Sequence, residues 1–353
     1  MKPFCKEKIR LNYFLLDVCF IIMIFINGLN TGNPDYTEGY YLKYMDLSKN
    51  YYEPGFRLLN IIGRAAGMNF FWFRFLLVTA TLLLLRNSVR KYSRTPLLVT
   101  TLYMIYPFFI ECIQIRNALA VSIVIFGIRY LNEKNRKGAF KFILTVLIAT
   151  TIHKTSAIYL FLIFAYCKGM RKMFIISISC FMVIYTILTR HFLGFVAFMY
   201  CIFNDNRLYI YADFEENYMF VKGMIPYLGL FFVTGYLCCC KIIKVKNNRV
   251  SDMDSVLTKI SILLMGLLPL FLFNGNFFRI WAFMLPVLFS AVFNLSGYKG
   301  IIKGDRFLAI CFCTVMTAIL FFVYLWPNGR QWNGDIVRTI LTQNALWEWA
   351  GKY

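Results

Sequence analysis

Acidic residues and histidine are scarce in this chain: 17 Asp and Glu stand against 38 Lys and Arg in 353 residues, and there are 2 His. With so few carboxylates and imidazoles, the side chains able to move a proton form a short set. The 11 cysteines include no CxxC pair and no Cys/His spacing suited to a metal, so neither a metal site nor a thiol redox centre is expected. Most of them, such as Cys19, Cys180, Cys311 and Cys313, stand in apolar runs where a thiol acts as a small hydrophobe. The chain also lacks internal repeats, low-complexity tracts and any soluble domain. Its first apolar run has no small-residue cleavage site and reads as a span rather than a removable leader. No cofactor is expected.

What the chain has in excess is apolar surface. Hydrophobic residues make up 59% of it and the mean hydropathy is +0.61, more than a soluble core can hide. Apolar runs cover about 12–29, 69–85, 96–113, 117–131, 139–152, 155–167, 173–189, 225–240, 256–273, 277–294 and 307–325. The fold class expected is all-α, a single polytopic membrane domain over residues 1–353 with roughly eleven transmembrane helices. Several runs, chiefly those in 117–167, are shorter than the usual ~20 residues and fit tilted or partly re-entrant helices.

Short basic clusters punctuate these runs: Lys2 to Arg10, Arg86 to Arg94, Lys134 to Lys141, Lys168 to Lys172, Lys241 to Arg249 and Lys299 to Arg306. An amino terminus in the cytoplasm puts all of them on the cytoplasmic side. The net charge of +21 is thus spread over short turns beside lipid headgroups, which argues against a nucleic-acid partner and for the bilayer itself. The other side receives two long loops, about 30–68 and 190–224, and a tail, about 326–353, with Trp326, Trp332, Trp347 and Trp349 as interface anchors.

Both loops combine carboxylates with tyrosines. The first carries Asp35, Glu38, Asp46 and Glu53 among Tyr36, Tyr40, Tyr41, Tyr44, Tyr51 and Tyr52, and the second carries Asp213 beside Tyr209 and Tyr211. Carboxylates accept hydrogen bonds from sugar hydroxyls and aromatic faces pack on sugar C–H faces, which makes Tyr36, Tyr40, Tyr209, Tyr211 and Asp213 candidate saccharide contacts. An ordinary interfacial tyrosine belt gives the same pattern. Residues 55–68, GFRLLNIIGRAAG, place Arg57 and Arg64 seven apart and so nearly on one helical face, as in an amphipathic helix lying in the interface.

Isolated charges mark the same side. Arg116 follows ECIQI, His153 and Lys154 lie between two runs, and Arg279 opens another after NGNFF. Each alone fits a side chain snorkelling to headgroups, but together they suggest a charged cavity.

These stretches carry a resemblance. The ordered set Asp35-Tyr36, the EPGF run Glu53 to Phe56, the IRNALA run Ile115 to Ala120, HKTSA from His153 to Ala157, and Arg279 ahead of Trp281, Phe283 and Pro286 resembles the EpsG family of bacterial exopolysaccharide proteins, a branch of the Wzy-like polymerases. The match is fuller in the first half, and Asn117 and Lys154 depart from the family's commoner residues. The resemblance implies a GT-C-like, Wzy-like architecture in the bacterial cytoplasmic membrane. It implies joining of oligosaccharide repeats carried on polyprenyl pyrophosphate, with a flippase and a chain-length regulator as companion proteins. Such chemistry needs cations on the departing pyrophosphate, for which Arg116 and Arg279 are first choices and Arg57 and Arg64 helpers. It also needs a base, for which His153 leads and Asp35 and Glu53 are rivals. Two other readings stay open: a GT-C transferase using a polyprenyl-phosphate sugar, and a lipid-linked oligosaccharide flippase, for which Asp17 is the charge placed within a span.

Overall fold

The computed structural model describes residues 3–32, 35–49, 52–167, 169–190, 194, 217–244, 251–273, 275–297, 303–325 and 336–345. Among these residues every named element is helical, and β-pairing is limited to an isolated bridge between Asn30 and Asn344. Helices satisfy their own backbone groups, the condition that lipid imposes on a crossing segment. Among the described residues four helices, Leu11–Gly28, Phe70–Tyr92, Met170–Thr189 and Gly304–Tyr324, are long and apolar enough to cross a membrane. Shorter apolar helices occupy Pro96–Ile105, Lys154–Tyr166, Met224–Cys238 and Leu285–Ser296.

The surface of these helices is inverted relative to a soluble protein. Phe140, Leu144, Leu147 and Ile148 are exposed in a stripe at helical spacing, as are Ile175, Ile178, Met182 and Val183, and Phe307, Leu308, Val315, Ile319 and Phe322. Apolar stripes of this extent need an apolar solvent, so the chain is a multi-pass membrane protein.

Several expected crossings are not single continuous α-helices. The run 96–113 divides into α5 (Pro96–Ile105) and α6 (Phe108–Ile113) around Pro107, whose ring nitrogen has no proton to give. The run 277–294 divides into Phe278–Ala282 and Leu285–Ser296 ahead of Pro286, and 155–167 winds as a 3-10 helix, Lys154–Tyr166.

The chain forms two compact units, Met1–Leu160 with Leu320–Tyr353, and Phe161–Ile319. In the first, α7 (Ile115–Leu131) is buried along most of its length between α4 (Phe70–Tyr92) and α8 (Arg136–Ile152). Gly127 lets α8 come close, since a Cβ there would lie 2.7 Å from Cγ2 of Thr145. α1 (Pro3–Gly28) lies on α4, where Asp17 and Arg86 form an ion pair with Nη2 2.6 Å from Oδ1. The second unit packs the helix Asp252–Met265 against Leu285–Ser296, with Asn294 Nδ2 donating to Asp254 Oδ1 at 2.7 Å and Trp281 Nε1 to the Leu264 carbonyl at 3.0 Å.

The first long loop is largely helical. It contains a π-helical turn, Tyr36–Tyr41, then α2 (Leu42–Met45), a 3-10 turn at Leu47–Lys49, and α3 (Pro54–Ala65). Pro54 sits at the start of α3, where a missing N–H costs nothing. α3 is amphipathic as its spacing predicts: Phe56, Asn60 and Gly63 face inward, while Arg57, Leu58, Ile61, Ile62 and Arg64 are exposed. The second loop falls mostly outside the described residues, but from Asn217 onward the chain is already helical. The tail returns to the end of α1: Thr31 N–H donates to Gln343 O at 3.1 Å, Ala345 N–H to Leu29 O at 3.0 Å, and Asn344 Nδ2 to Ile26 O at 2.9 Å. Tail and first loop therefore lie at the same end of α1. The four tail tryptophans lie outside the described residues.

Candidate functional site

Three residues from distant segments meet at the end of the first unit that carries α3. Glu53 is the residue ahead of α3, Arg116 stands in the first turn of α7, and His153 ends α8. Extended backbone at Glu53, φ −55° and ψ 149°, leaves its side chain off the helix. Oε2 of Glu53 takes an ion-paired hydrogen bond from Nη1 of Arg116. Oε1 accepts from the Lys154 backbone N–H at 3.1 Å and lies 3.7 Å from His153 Nδ1, within ion-pair but beyond hydrogen-bond reach. The pair is largely buried, with side-chain exposures of 13% for Arg116 and 7% for Glu53. Water screens such a pair poorly, and each partner needs the other.

An aromatic wall backs the cluster. The Arg116 guanidinium lies 4.1 Å from the centre of the Tyr52 ring, and Lys43 Nζ approaches the same ring at 4.6 Å and donates to its Oη at 3.3 Å. Tyr52 Oη donates to the Gly39 carbonyl. Burial pushes its phenol pKa up, reinforced by Tyr40 and opposed by Arg116, so it acts as a donor and not as an anion. Its ring packs edge-on against Phe56 at 5.4 Å.

Among the residues singled out from sequence, Glu53, Arg116 and His153 come together. Asp35 is half-buried ahead of the Tyr36–Tyr41 turn, beneath Gly39 and close enough to Tyr52 to raise its pKa. Tyr40 is buried against Tyr52 and Phe56, at 5.8 and 6.1 Å between ring centres. Tyr36 lies edge-on to Phe70 at 5.2 Å. Both rings thus have aromatic neighbours within the first loop and α4. Arg57 and Arg64 are exposed; Arg64 Nη1 reaches the Tyr44 carbonyl at 3.4 Å, and neither side chain bonds to the cluster. Arg279 belongs to the second unit, half-buried, with Nη2 donating to Asn276 Oδ1 at 3.2 Å. Tyr209, Tyr211 and Asp213 lie outside the described residues. No group of His, Cys, Asp and Glu able to hold a metal occurs among the described residues.

One functional-looking residue escaped sequence reasoning. Arg74, 2% exposed on α4, donates to the carbonyls of Asn30 and Cys112 and to Asn27 Oδ1, and lies 5.6 Å from the centre of the Tyr36 ring. Its signal was available as a lone arginine inside the apolar run FFWFRF. Glu111 on α6, buried and bonded to the Tyr103 hydroxyl, is a second.

Fold and site together define a multi-pass helical membrane protein with a paired carboxylate and guanidinium, beside an imidazole, at one end of its helices. The chain belongs to the EpsG family, the family of Wzy-like polysaccharide polymerases, whose sequence model matches residues 13–335. No curated protein and no solved structure matches it.

Proposed function

We propose that this protein joins oligosaccharide repeats carried on polyprenyl pyrophosphate, at the outer face of the bacterial cytoplasmic membrane, with the amino terminus inside and about eleven crossings. The observation that carries the reading is the meeting of Glu53 with Arg116, 63 residues on, and with the Lys154 N–H, 101 residues on and next to His153, in a chain whose family makes polysaccharide. An acceptor hydroxyl attacks the anomeric carbon of the donor repeat as the bond from that carbon to the pyrophosphate oxygen breaks. The electron pair leaves with polyprenyl pyrophosphate, and the hydroxyl proton passes to His153. Glu53, with Oε1 3.7 Å from Nδ1, lends its negative charge to the imidazolium that forms.

Arg116 answers the charge growing on the leaving group. One guanidinium nitrogen serves Glu53, while its Nε is buried without a protein partner and can give a hydrogen bond to a phosphate oxygen. On sequence grounds Arg279 is a further cation for the same leaving group. A flippase would carry charges along its spans, but Asp17 is bound to Arg86, which favours transfer over transport. A transferase using a polyprenyl-phosphate sugar would need the same groups, and the donor separates the two. Deleting the gene and analysing lipid-linked glycans tests the proposal: single repeats should accumulate without polymer. Normal polymer, or repeats retained on the cytoplasmic side, would refute it.

A further inference from the structure

Gln114 joins α6 to α7 two residues ahead of Arg116. Its backbone is satisfied, with its N–H donating to Ile110 O at 3.1 Å and its carbonyl accepting from Ala118 N–H at 2.9 Å. Its side chain is a different matter: the residue is 5% exposed, and neither Oε1 nor Nε2 has a hydrogen-bond partner. A buried carboxamide with both ends unbonded is costly, and an apolar residue of equal volume would hold the junction better. A second orphan stands three residues after His153. Ser156 is 0% exposed and its Oγ has no partner, while its N–H donates to the His153 carbonyl at 3.0 Å. Unbonded polar groups thus stand next to both Arg116 and His153 in the chain.

The chemistry of these orphans selects a ligand. A phosphate oxygen only accepts, so it would engage Nε2 and leave Oε1 of Gln114 unbonded. Hydroxyls both donate and accept. A neighbouring pair of sugar hydroxyls, or a hydroxyl beside an acetamido group, satisfies both ends of a carboxamide, and a serine hydroxyl matches a third. We infer that Gln114 and Ser156 form a saccharide subsite that grips the sugar at the reacting end of a lipid-linked repeat. This rests on the polymerase reading and assigns Gln114 to the sugar, with Arg116 on the pyrophosphate.

The test uses the full chain in lipid nanodiscs and two probes: sugar-free polyprenyl pyrophosphate, and lipid-linked repeats extracted from cells lacking the gene. Gln114→Met keeps the volume and removes both polar ends. Its melting temperature should equal or exceed that of the wild type, because no intramolecular bond is lost. Its affinity for the lipid-linked repeat should fall roughly tenfold to a hundredfold, with affinity for the sugar-free lipid unchanged. Ser156→Ala should show the same pattern with a loss of about three- to tenfold. A lowered melting temperature in Gln114→Met would make the residue structural, an equal loss for both lipids would make it a phosphate ligand, and unchanged binding of the repeat would leave the amide without a ligand; each overturns the subsite. If the wild type binds the sugar-free lipid but discriminates no sugar, the subsite alone falls. If it binds neither probe, the polymerase reading falls and the subsite with it.

Discussion

At Glu53 a single carboxylate holds two functional groups in place, so its removal acts twice. Glu53→Gln leaves the Arg116 charge without its counterion in a site only 13% exposed on the arginine side. Breaking such a pair from one side costs about 3–5 kcal/mol where burial is complete, and somewhat less here. The double variant Glu53→Gln with Arg116→Met should recover much of the melting temperature while polymer synthesis stays lost. A full recovery of polymer would show that the pair is architectural. Arg116→Ala alone should lower the rate by roughly 10²–10³, and Arg116→Lys should restore it only in part, because a lysine cannot span both Glu53 and a phosphate. His153→Gln should keep the fold and lower turnover by about 10² or more. Asp35→Asn should matter less, since Asp35 packs beneath Gly39 and its charge acts on the Tyr52 phenol, one step from Arg116. A severe loss in Asp35→Asn with a mild one in His153→Gln would reverse the two roles. These charged residues were legible from sequence because a charge beside an apolar run needs a reason to be there. Their partners were not, since nothing in residue order tells Glu53 from Asp35 or Glu38.

The element that brings the cluster together is α3, and its contact with α8 is set by Gly55. A Cβ at that position would lie 2.3 Å from Thr151 Oγ1 and 2.8 Å from the Thr151 carbonyl oxygen. The second neighbour is backbone and cannot swing aside, so Gly55→Ala must push α3 outward and carry Glu53 away from His153 and Lys154. Overpacking of this kind costs about 1–3 kcal/mol, and activity should fall well beyond what that loss of stability explains. Measuring polymer output and melting temperature on the same variant checks this, and unchanged output would mean that the spacing is slack. The helical character of 54–65 could be read from Pro54 and the Arg57 to Arg64 spacing. The direction of its inner face could not: Phe56, Asn60 and Gly63 point inward while Leu58, Ile61 and Ile62 remain exposed, the reverse of what hydrophobicity alone suggests in water. In a membrane interface the exposed leucine and isoleucines have lipid to contact.

At the scale of the whole molecule, the proposed orientation with the basic turns inside predicts which positions can be labelled. In a background stripped of native cysteines, Ser48→Cys in the first loop and Arg338→Cys in the tail helix should react alike with an impermeant thiol reagent on intact cells. Lys137→Cys should not react. Labelling of Lys137→Cys with sparing of Ser48→Cys would invert the topology, and opposite behaviour of Ser48→Cys and Arg338→Cys would contradict the docking of the tail on the end of α1.

Composition and the placement of basic residues determined by themselves that this chain lives in a bilayer as helices, because lipid admits few other backbone solutions and rewards one-sided positive charge. They also marked Arg116, His153 and Glu53 as candidates. Only the tertiary structure decided that these three come together, that Tyr36 and Tyr40 pack against neighbouring aromatic rings, and that a lone Arg74 ties α4 to Asn27, Asn30 and Cys112. It also paired Asp17 with Arg86 across α1 and α4. The physical reason is common to all of them. A helix's period assigns a residue to a face, but which residue meets that face depends on how distant helices pack, and the strength of a buried charge depends on the partner it finds there.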